Sequence, residues 1–253
     1  MVRVAEHLAI EPPDADRNLA DRNLVARNLA NRLTDASPLE IISAARAAFP
    51  DDLALVSSFG TESAVLLHMA SQVDRSIPVL FLDTGHMFAE TLAYRDELTA
   101  LLKLTDVRTV GPDPLALAQR DPDAELWLQD TEACCAVRKV EPLARALAPF
   151  SAWINGRKRY QAVTRAAIPV VELEAGQVKI NPLAGIGPVE IEGWMSTHKL
   201  PQHPLKTVGF ASIGCMPCTS RVRPGEDPRS GRWRGSAKTE CGIHVPQAPR
   251  SGE

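Results

Sequence analysis

The sequence predicts an α/β fold, a mostly parallel sheet with helices on both faces. Short apolar runs such as Leu53-Ala54-Leu55-Val56 and Val79-Leu80-Phe81-Leu82 alternate with amphipathic stretches of helical length. Each run ends in a small polar turn, Ser57-Ser58-Phe59-Gly60-Thr61 after the first and Asp83-Thr84-Gly85 after the second. The 253 residues are ample for one large core with a small C-terminal appendage.

Residues 1–37 carry a loose repeat, Arg17-Asn18-Leu19, Arg22-Asn23-Leu24, Arg27-Asn28-Leu29. A period of five sets successive leucines about 140° apart on a helix, so the repeat builds no single apolar face. The segment reads as a leader, helical or partly disordered, without chemistry. From residue 38 to 213 the pattern gives a helix Leu39–Phe49, a strand Leu53–Val56 and a helix Glu62–Val73. A strand over Pro78–Leu82, a helix Ala89–Leu102 and a short strand Val107–Val110 follow. A helix Cys135–Ala148 carries two cysteines at its N-terminus, and strand Ala152–Ile154 runs into Asn155-Gly156-Arg157. A hairpin (Val170–Glu172, Val178–Ile180) and a helix Val189–Lys199 complete this part. Residues 214–253 form a C-terminal segment rich in Gly, Pro and Arg.

The five cysteines carry most of the chemistry: Cys134-Cys135, Cys215-Met216-Pro217-Cys218, and Cys241 within Glu240-Cys241-Gly242-Ile243-His244. Buried cysteines are commonly small hydrophobes. Two close pairs instead suit four thiolates converging on zinc or an iron–sulfur cluster. An adjacent Cys-Cys makes a strained disulfide but can hold two irons of one cluster, and zinc favours Cys-x₂₋₄-Cys on both arms. Spacing therefore favours iron–sulfur and keeps zinc open. Cys241, with a histidine three residues on, has the makings of a nucleophile. The odd cysteine count and the lack of a signal-peptide pattern argue against a secreted disulfide framework. No run approaches the roughly 18 apolar residues of a membrane span, so a cytoplasmic location is expected.

The net charge of −3 argues against a dedicated nucleic-acid binder, but its distribution is uneven. Between Cys134 and Arg165 stand seven cations (Arg138, Lys139, Arg145, Arg157, Lys158, Arg159, Arg165) against one acid, Glu141. Between Thr219 and His244 there are six, including Arg229 and Arg232, against three acids. Positive charge that travels with the cysteines implies an anionic ligand. In a parallel sheet ligands sit beyond the C-terminal strand ends, where Ser57–Thr61, Asp83–His86 and Asn155–Arg159 leave. The first of these loops meets a helix N-terminus, a natural oxyanion site, without a Walker A or Gly-x-Gly-x-x-Gly pattern.

Taken together these residues resemble the assimilatory adenylylsulfate (APS) reductases of bacteria and plants, within the wider phosphoadenylylsulfate (PAPS) reductase family. The resemblance spans about Leu53 to His244. It rests on Ser57-Ser58-Phe59-Gly60, Leu82-Asp83-Thr84-Gly85, the Cys134–Leu143 segment, Trp153-Ile154-Asn155-Gly156, Gly214–Thr219, Gly231-Arg232-Trp233 and Glu240–His244. It implies an adenine nucleotide α-hydrolase-like fold, with residues 38–213 as the nucleotide-binding domain and residues 214–253 bearing the catalytic tail. The Ser57–Ser63 loop lacks the double glycine and aspartate of related pyrophosphatases, which fits a phosphosulfate in place of a triphosphate.

The resemblance further implies a [4Fe–4S] cluster on Cys134, Cys135, Cys215 and Cys218, with an electrostatic and structural role. It implies attack by Cys241 on the sulfur of APS, departure of AMP, and release of sulfite from the resulting S-sulfocysteine by thioredoxin or a similar dithiol protein. Lys139, Arg229, Arg232 and His244 match residues that neutralise the phosphosulfate, and Arg165 matches another substrate-binding arginine. Ser57, Ser58, Phe59 and Gly60 match the loop that holds the nucleotide, and Leu82 and Gly156 match backbone contacts to it. His244 would act either by favouring the thiolate or by binding anion. Thr219-Ser220-Arg221 replaces the commoner Thr-Arg-Pro, and Asn155 stands where Thr is frequent; neither is a cluster ligand. The alternatives are a PAPS reductase, a nucleotide-dependent tRNA sulfurtransferase, and a zinc-binding interaction module. Cluster-free members act on PAPS, the second would need a pyrophosphatase loop and a basic RNA-binding domain, and the third leaves Cys241 idle. A homo-oligomer is compatible with the sequence.

Overall fold

The computed structural model of the chain describes residues 14–236 and 238–244. What the sequence suggests for the first part of the leader and the end of the tail lies outside the described residues. Nine α-helices and six strands are present among them: α1 (Asp14–Arg32), α2 (Pro38–Ala48), β1 (Leu53–Ser57), α3 (Ser63–Val73), β2 (Val79–Leu82), α4 (Ala89–Leu102) and β3 (Val107–Val110). Then come α5 (Pro114–Arg120), α6 (Leu126–Gln129), α7 (Thr131–Cys135), α8 (Glu141–Leu147), β4 (Ala152–Ile154), β5 (Val171–Glu174), β6 (Gln177–Ile180) and α9 (Pro188–Thr197).

The strands form one sheet in the order β3-β2-β1-β4-β6-β5, parallel except for the β5–β6 hairpin at one edge. Period-2 alternation splits each central strand between two cores. Leu53, Leu55, Val79, Phe81, Ala152 and Ile154 face one side, with α2, α3, α4 and α9. Ala54, Val56, Leu80, Leu82 and Trp153 face the other, packing against Leu143 and Leu147 of α8. Strands buried on both faces are what an α/β sheet requires, and the expected fold class holds.

Local signals set the helix starts. Ser37 and Glu40 form a reciprocal capping box around Pro38 at the head of α2. Asp130 accepts from the Glu132 and Ala133 amides at 2.9 Å each, so the cysteine-bearing helix begins at Thr131. This corrects the expected start at Cys135: the pair lies at the end of α7, followed by a π-helical turn, Ala136–Val140, and then α8. In the leader, the repeat's Leu19 and Leu24 are exposed, as expected of a five-residue period. Ala26, Leu29 and Leu33 nevertheless make a short buried stripe against the main core, and Arg22 Nη1 donates to the Gly176 carbonyl at 3.1 Å. No helix among the described residues is long and apolar enough to cross a membrane.

Candidate active site

The chain runs outward from β1 through β2 to β3, then returns to place β4 on the other flank of β1. Loops that leave β1 and β4 therefore diverge at their C-terminal ends and open a crevice, the place where α/β sheets bind ligands. A cavity of about 200 Å³ lies there. Ser57, Ser58 and Gly60 come to it from the β1 loop, Leu82 and Thr84 from β2, and Gly156 and Lys158 from β4. Lys139, Arg165, Arg229, Arg232, Cys241 and His244 close it.

Thus every expected substrate or catalytic residue lines one cavity except Phe59. The Phe59 ring is fully buried and packs edge-on against Phe81 at 5.5 Å between centroids. Its backbone sits at φ 48°, an unusual conformation for a bulky residue. The Ser57 hydroxyl accepts from the Phe59 amide at 3.2 Å, which fixes that bend. Phe59 thus shapes the loop from the core side rather than presenting its ring to the cavity.

Six cations line the cavity (Lys139, Arg157, Lys158, Arg165, Arg229, Arg232) against two carboxylates, Glu62 and Glu240. Lys139 is buried within the π-turn; burial alone would lower its pKa, but Cys241, Cys215 and Cys135 nearby raise it, so it is held charged. Arg229 is pushed down to about 10 by burial and by Arg165, a sign of crowded cations without enough counter-charge. The Arg232 guanidinium lies over the Trp233 ring at 4.5 Å and donates to the Ile213 carbonyl at 3.1 Å. Any side chain at Gly214 would collide with that guanidinium, which explains the glycine there.

His244 is expected to act either by favouring the thiolate or by binding anion. It is half-buried, its ring stacked near-parallel on Trp153 with centroids 6.3 Å apart. Burial, then Lys179, Arg157, Arg165 and Arg229, push its pKa well below the ordinary histidine value. These surroundings disfavour the imidazolium and suit the ring to act as a neutral donor or acceptor. Its Nδ1 is buried without a hydrogen-bond partner among the described residues.

Of the other four cysteines Cys215 lines the cavity, and Cys134 feels the charge of Cys135, Cys215 and Cys218. All are free thiols, with Cys134, Cys135 and Cys215 buried and Cys218 half-buried. Burial, then neighbouring Cys135, raises Cys134 to about 12, with Cys215 and Cys218 close enough to add to it. Burial also raises Cys135 to about 11. Cys215 goes the other way: burial would raise it, but Lys139, the Thr84 hydroxyl at 3.1 Å and Arg232 lower it. The Thr219 hydroxyl ties its turn together, donating to the Cys215 carbonyl at 2.8 Å and accepting from the Gly214 amide at 3.2 Å. Among the described residues no three His, Cys, Asp or Glu side chains are grouped so as to hold a metal ion. The side chains here that could hold a metal are all sulfur, and Cys134, Cys135 and Cys218, kept protonated by burial, would have to give up their protons to it.

Sequence reasoning missed Glu62, Lys158 and Glu240. Lys158 is buried and pairs with Glu62 at 2.9 Å, while Tyr160 and Gln161 also donate to Glu62. The basic cluster 157–159 pointed to this corner without assigning it, and Glu240 stood inside a quoted motif without a role.

Residues 52–221 match the family described as the phosphoadenosine phosphosulfate reductase domain. The chain is 56% identical over 209 residues to an adenosine 5'-phosphosulfate reductase of Mesorhizobium japonicum, covering 82% of each. It is 44% identical over 222 residues to a phosphoadenosine 5'-phosphosulfate reductase of Gloeobacter violaceus, covering 85% of this chain and 92% of that one. Among solved structures it resembles the phosphoadenylyl-sulfate reductase of Candida auris in a phosphate complex. That likeness has a TM-score of 0.65 and 28% identity, covering 78% of this chain and 96% of the other. Yeast FAD synthetase, with a TM-score of 0.51 and 13% identity, shares the fold alone.

Proposed function

The chain belongs to the phosphoadenosine phosphosulfate reductase family of oxidoreductases, and from that premise we propose that it reduces adenylylsulfate to sulfite and AMP. The observation that carries this reading is a free thiol, Cys241, lining a cavity with six cations at the C-terminal edge of the sheet. In the proposed reaction the Cys241 thiolate attacks the sulfonyl sulfur. An S–S bond forms, the S–O bond to the phosphate breaks, and AMP leaves. A dithiol protein such as thioredoxin then attacks the Cys241 sulfur, supplies two electrons, expels sulfite and departs as its disulfide. Lys139, Arg229, Arg232 and Arg165 neutralise the oxygens as the anionic nucleophile approaches an anionic substrate. His244, neutral, is suited to a hydrogen bond rather than to a charge contact.

Cys134, Cys135, Cys215 and Cys218 would hold a [4Fe–4S] cluster, which would supply a fixed anionic charge beside Lys139. Cys134→Ser or Cys218→Ser is expected to lose iron and activity together, read by iron content and visible absorption of protein purified without air. Stoichiometric zinc, with activity kept after iron removal, would reject the cluster.

Sulfite release from APS and from PAPS, with thioredoxin supplied, tests the function and separates the PAPS-reductase alternative. Arg229→Ala and Arg232→Ala are each expected to weaken nucleotide binding or turnover by about 1.5–3 kcal/mol, the scale of a charge-assisted hydrogen bond. Wild-type kinetics in both would leave the cationic cavity without a substrate role.

A further inference from the structure

Two of the cavity's arginines share one carboxylate of the chain itself, Glu240. Arg165 clamps Glu240 bidentately, Nε to Oε2 at 2.6 Å and Nη2 to Oε1 at 2.7 Å. Arg229 Nη2 lies 3.6 Å from Oε1 of the same carboxylate. Glu240 in turn accepts from the amide of Cys241, its chain neighbour, at 2.9 Å. Arg165 is also oriented from its far side, donating through Nη1 to Gln161 Oε1 at 2.6 Å. The pair is well shielded, with side-chain exposures of 9% and 11%.

Described residues of the tail are docked on both sides of this carboxylate. Lys238 pairs with Glu132 on α7. Ile243 packs on the second core, and His244 stacks on Trp153. With the tail seated, the cavity of about 200 Å³ is smaller than the roughly 300–1,000 Å³ of ordinary ligand sites. Burial would raise the Glu240 pKa, yet Arg165, the Cys241 amide and Arg229 lower it, so the carboxylate is ionised where it sits.

We propose that Glu240 is a positioning residue that fills the anion seat of Arg165 and Arg229 while the site is empty and yields it to the anionic group of the substrate. This deepens the reading above, on which it rests, by coupling substrate entry to movement of the nucleophile's segment. The seat needs a counter-ion at all times: a bidentate fork recognises a carboxylate and a phosphate-like group by the same geometry. Exchange of one anion for the other releases the residue next to Cys241 at the moment the sulfur to be attacked arrives. Because the carboxylate competes with the substrate, removing it should tighten anion binding; because it also seats Cys241, removing it should slow the chemistry.

The test uses the full chain and inorganic pyrophosphate as probe. Glu240→Gln is expected to bind pyrophosphate on the order of tenfold more tightly than wild type, by calorimetry at constant ionic strength. Glu240→Asp, which keeps the charge, should return toward wild type. In wild type, pyrophosphate but not matched chloride should speed alkylation of Cys241 by iodoacetamide, read on its peptide by mass spectrometry. In Glu240→Gln the rate should be high from the start and unresponsive. With APS, KM and kcat should both fall in Glu240→Gln, a split that mere loosening of the tail would not give. Equal pyrophosphate affinities in wild type and Glu240→Gln, no binding to either, or Cys241 alkylation in wild type that ignores pyrophosphate would overturn the proposal. Sulfite release from APS by the unaltered chain is read separately; its absence alone rejects the function and not the exchange at Arg165.

Discussion

Cys241→Ser is expected to form no sulfite while keeping its fold and its affinity for AMP. The side chain is half-buried at the cavity wall, and its backbone is held by Glu240 on one side and by the His244 amide, which donates to its carbonyl at 3.0 Å, on the other. Serine preserves both contacts and nearly the same volume, so the substitution removes only the nucleophile. A serine hydroxyl needs a base to take its proton, and among the described residues no carboxylate orients the His244 ring, whose Nδ1 has no partner, for that role. Turnover should fall by at least about 10³-fold, the scale on which loss of a nucleophile acts. Wild-type protein given sulfur-labelled APS without reductant should trap one label per chain, released as sulfite by thioredoxin. A labelled adduct that persists in Cys241→Ser, or maps to Cys134, Cys135, Cys215 or Cys218, would overturn the assignment.

Asp121→Asn is expected to cost about 3–5 kcal/mol of stability, measured by urea unfolding at neutral pH, because it strips the counter-ion from a buried guanidinium. Arg138 donates to Asp121 Oδ2 through Nε at 2.9 Å and Nη2 at 2.6 Å, and through Nη1 to the Thr84 carbonyl at 2.7 Å. Asp121 also accepts from the Leu126 amide at 2.9 Å. The side chains are 6% and 1% exposed, so water cannot replace the lost charge. Burial would raise the Asp121 pKa, but the Leu126 amide and Arg138 outweigh it and the net shift is downward. A depressed carboxylate contributes stability that is present above its unfolded value, near 3.9, and is lost as pH falls through the folded value. Wild type should therefore lose this part of its stability in acid, and Asp121→Asn should lack that part of the pH dependence. Equal unfolding midpoints at neutral pH would show the pair to be dispensable.

Much of this was legible in the sequence because it depends on local rules. The central strands and α4 follow from apolar run length, and the crevice from where Ser57, Asp83 and Asn155 end their strands. Basic residues that travel with cysteines announced an anion site. What escaped reading depends on distant pairs. Asp121 lies 17 residues from Arg138, and Glu240 lies 75 from Arg165; neither separation leaves a periodic trace. The charge state of His244 was equally hidden, since it comes from burial against Trp153 and from Lys179 on another strand. The start of α7 was in reach, since Asp130 followed by Thr131-Glu132 is a cap signal, but the cysteine pair drew the boundary to itself.

The π-turn between α7 and α8 makes residue count, as well as residue type, a requirement of this segment. Each residue of an α-helix advances the side chains by about 100°, and a π-turn holds one more residue than an α-turn over the same stretch of axis. Downstream, the phase is pinned by Leu143 and Leu147 in the second core. Upstream, it is pinned by Asp130. Deleting one residue between Ala136 and Val140 would turn the π-turn into an ordinary α-turn with both flanks kept in phase, so the loss would fall on the turn itself and displace Arg138 or Lys139. A one-residue gap here would thus spare the caps and core contacts on either side and remove the buried seat of Lys139 between them.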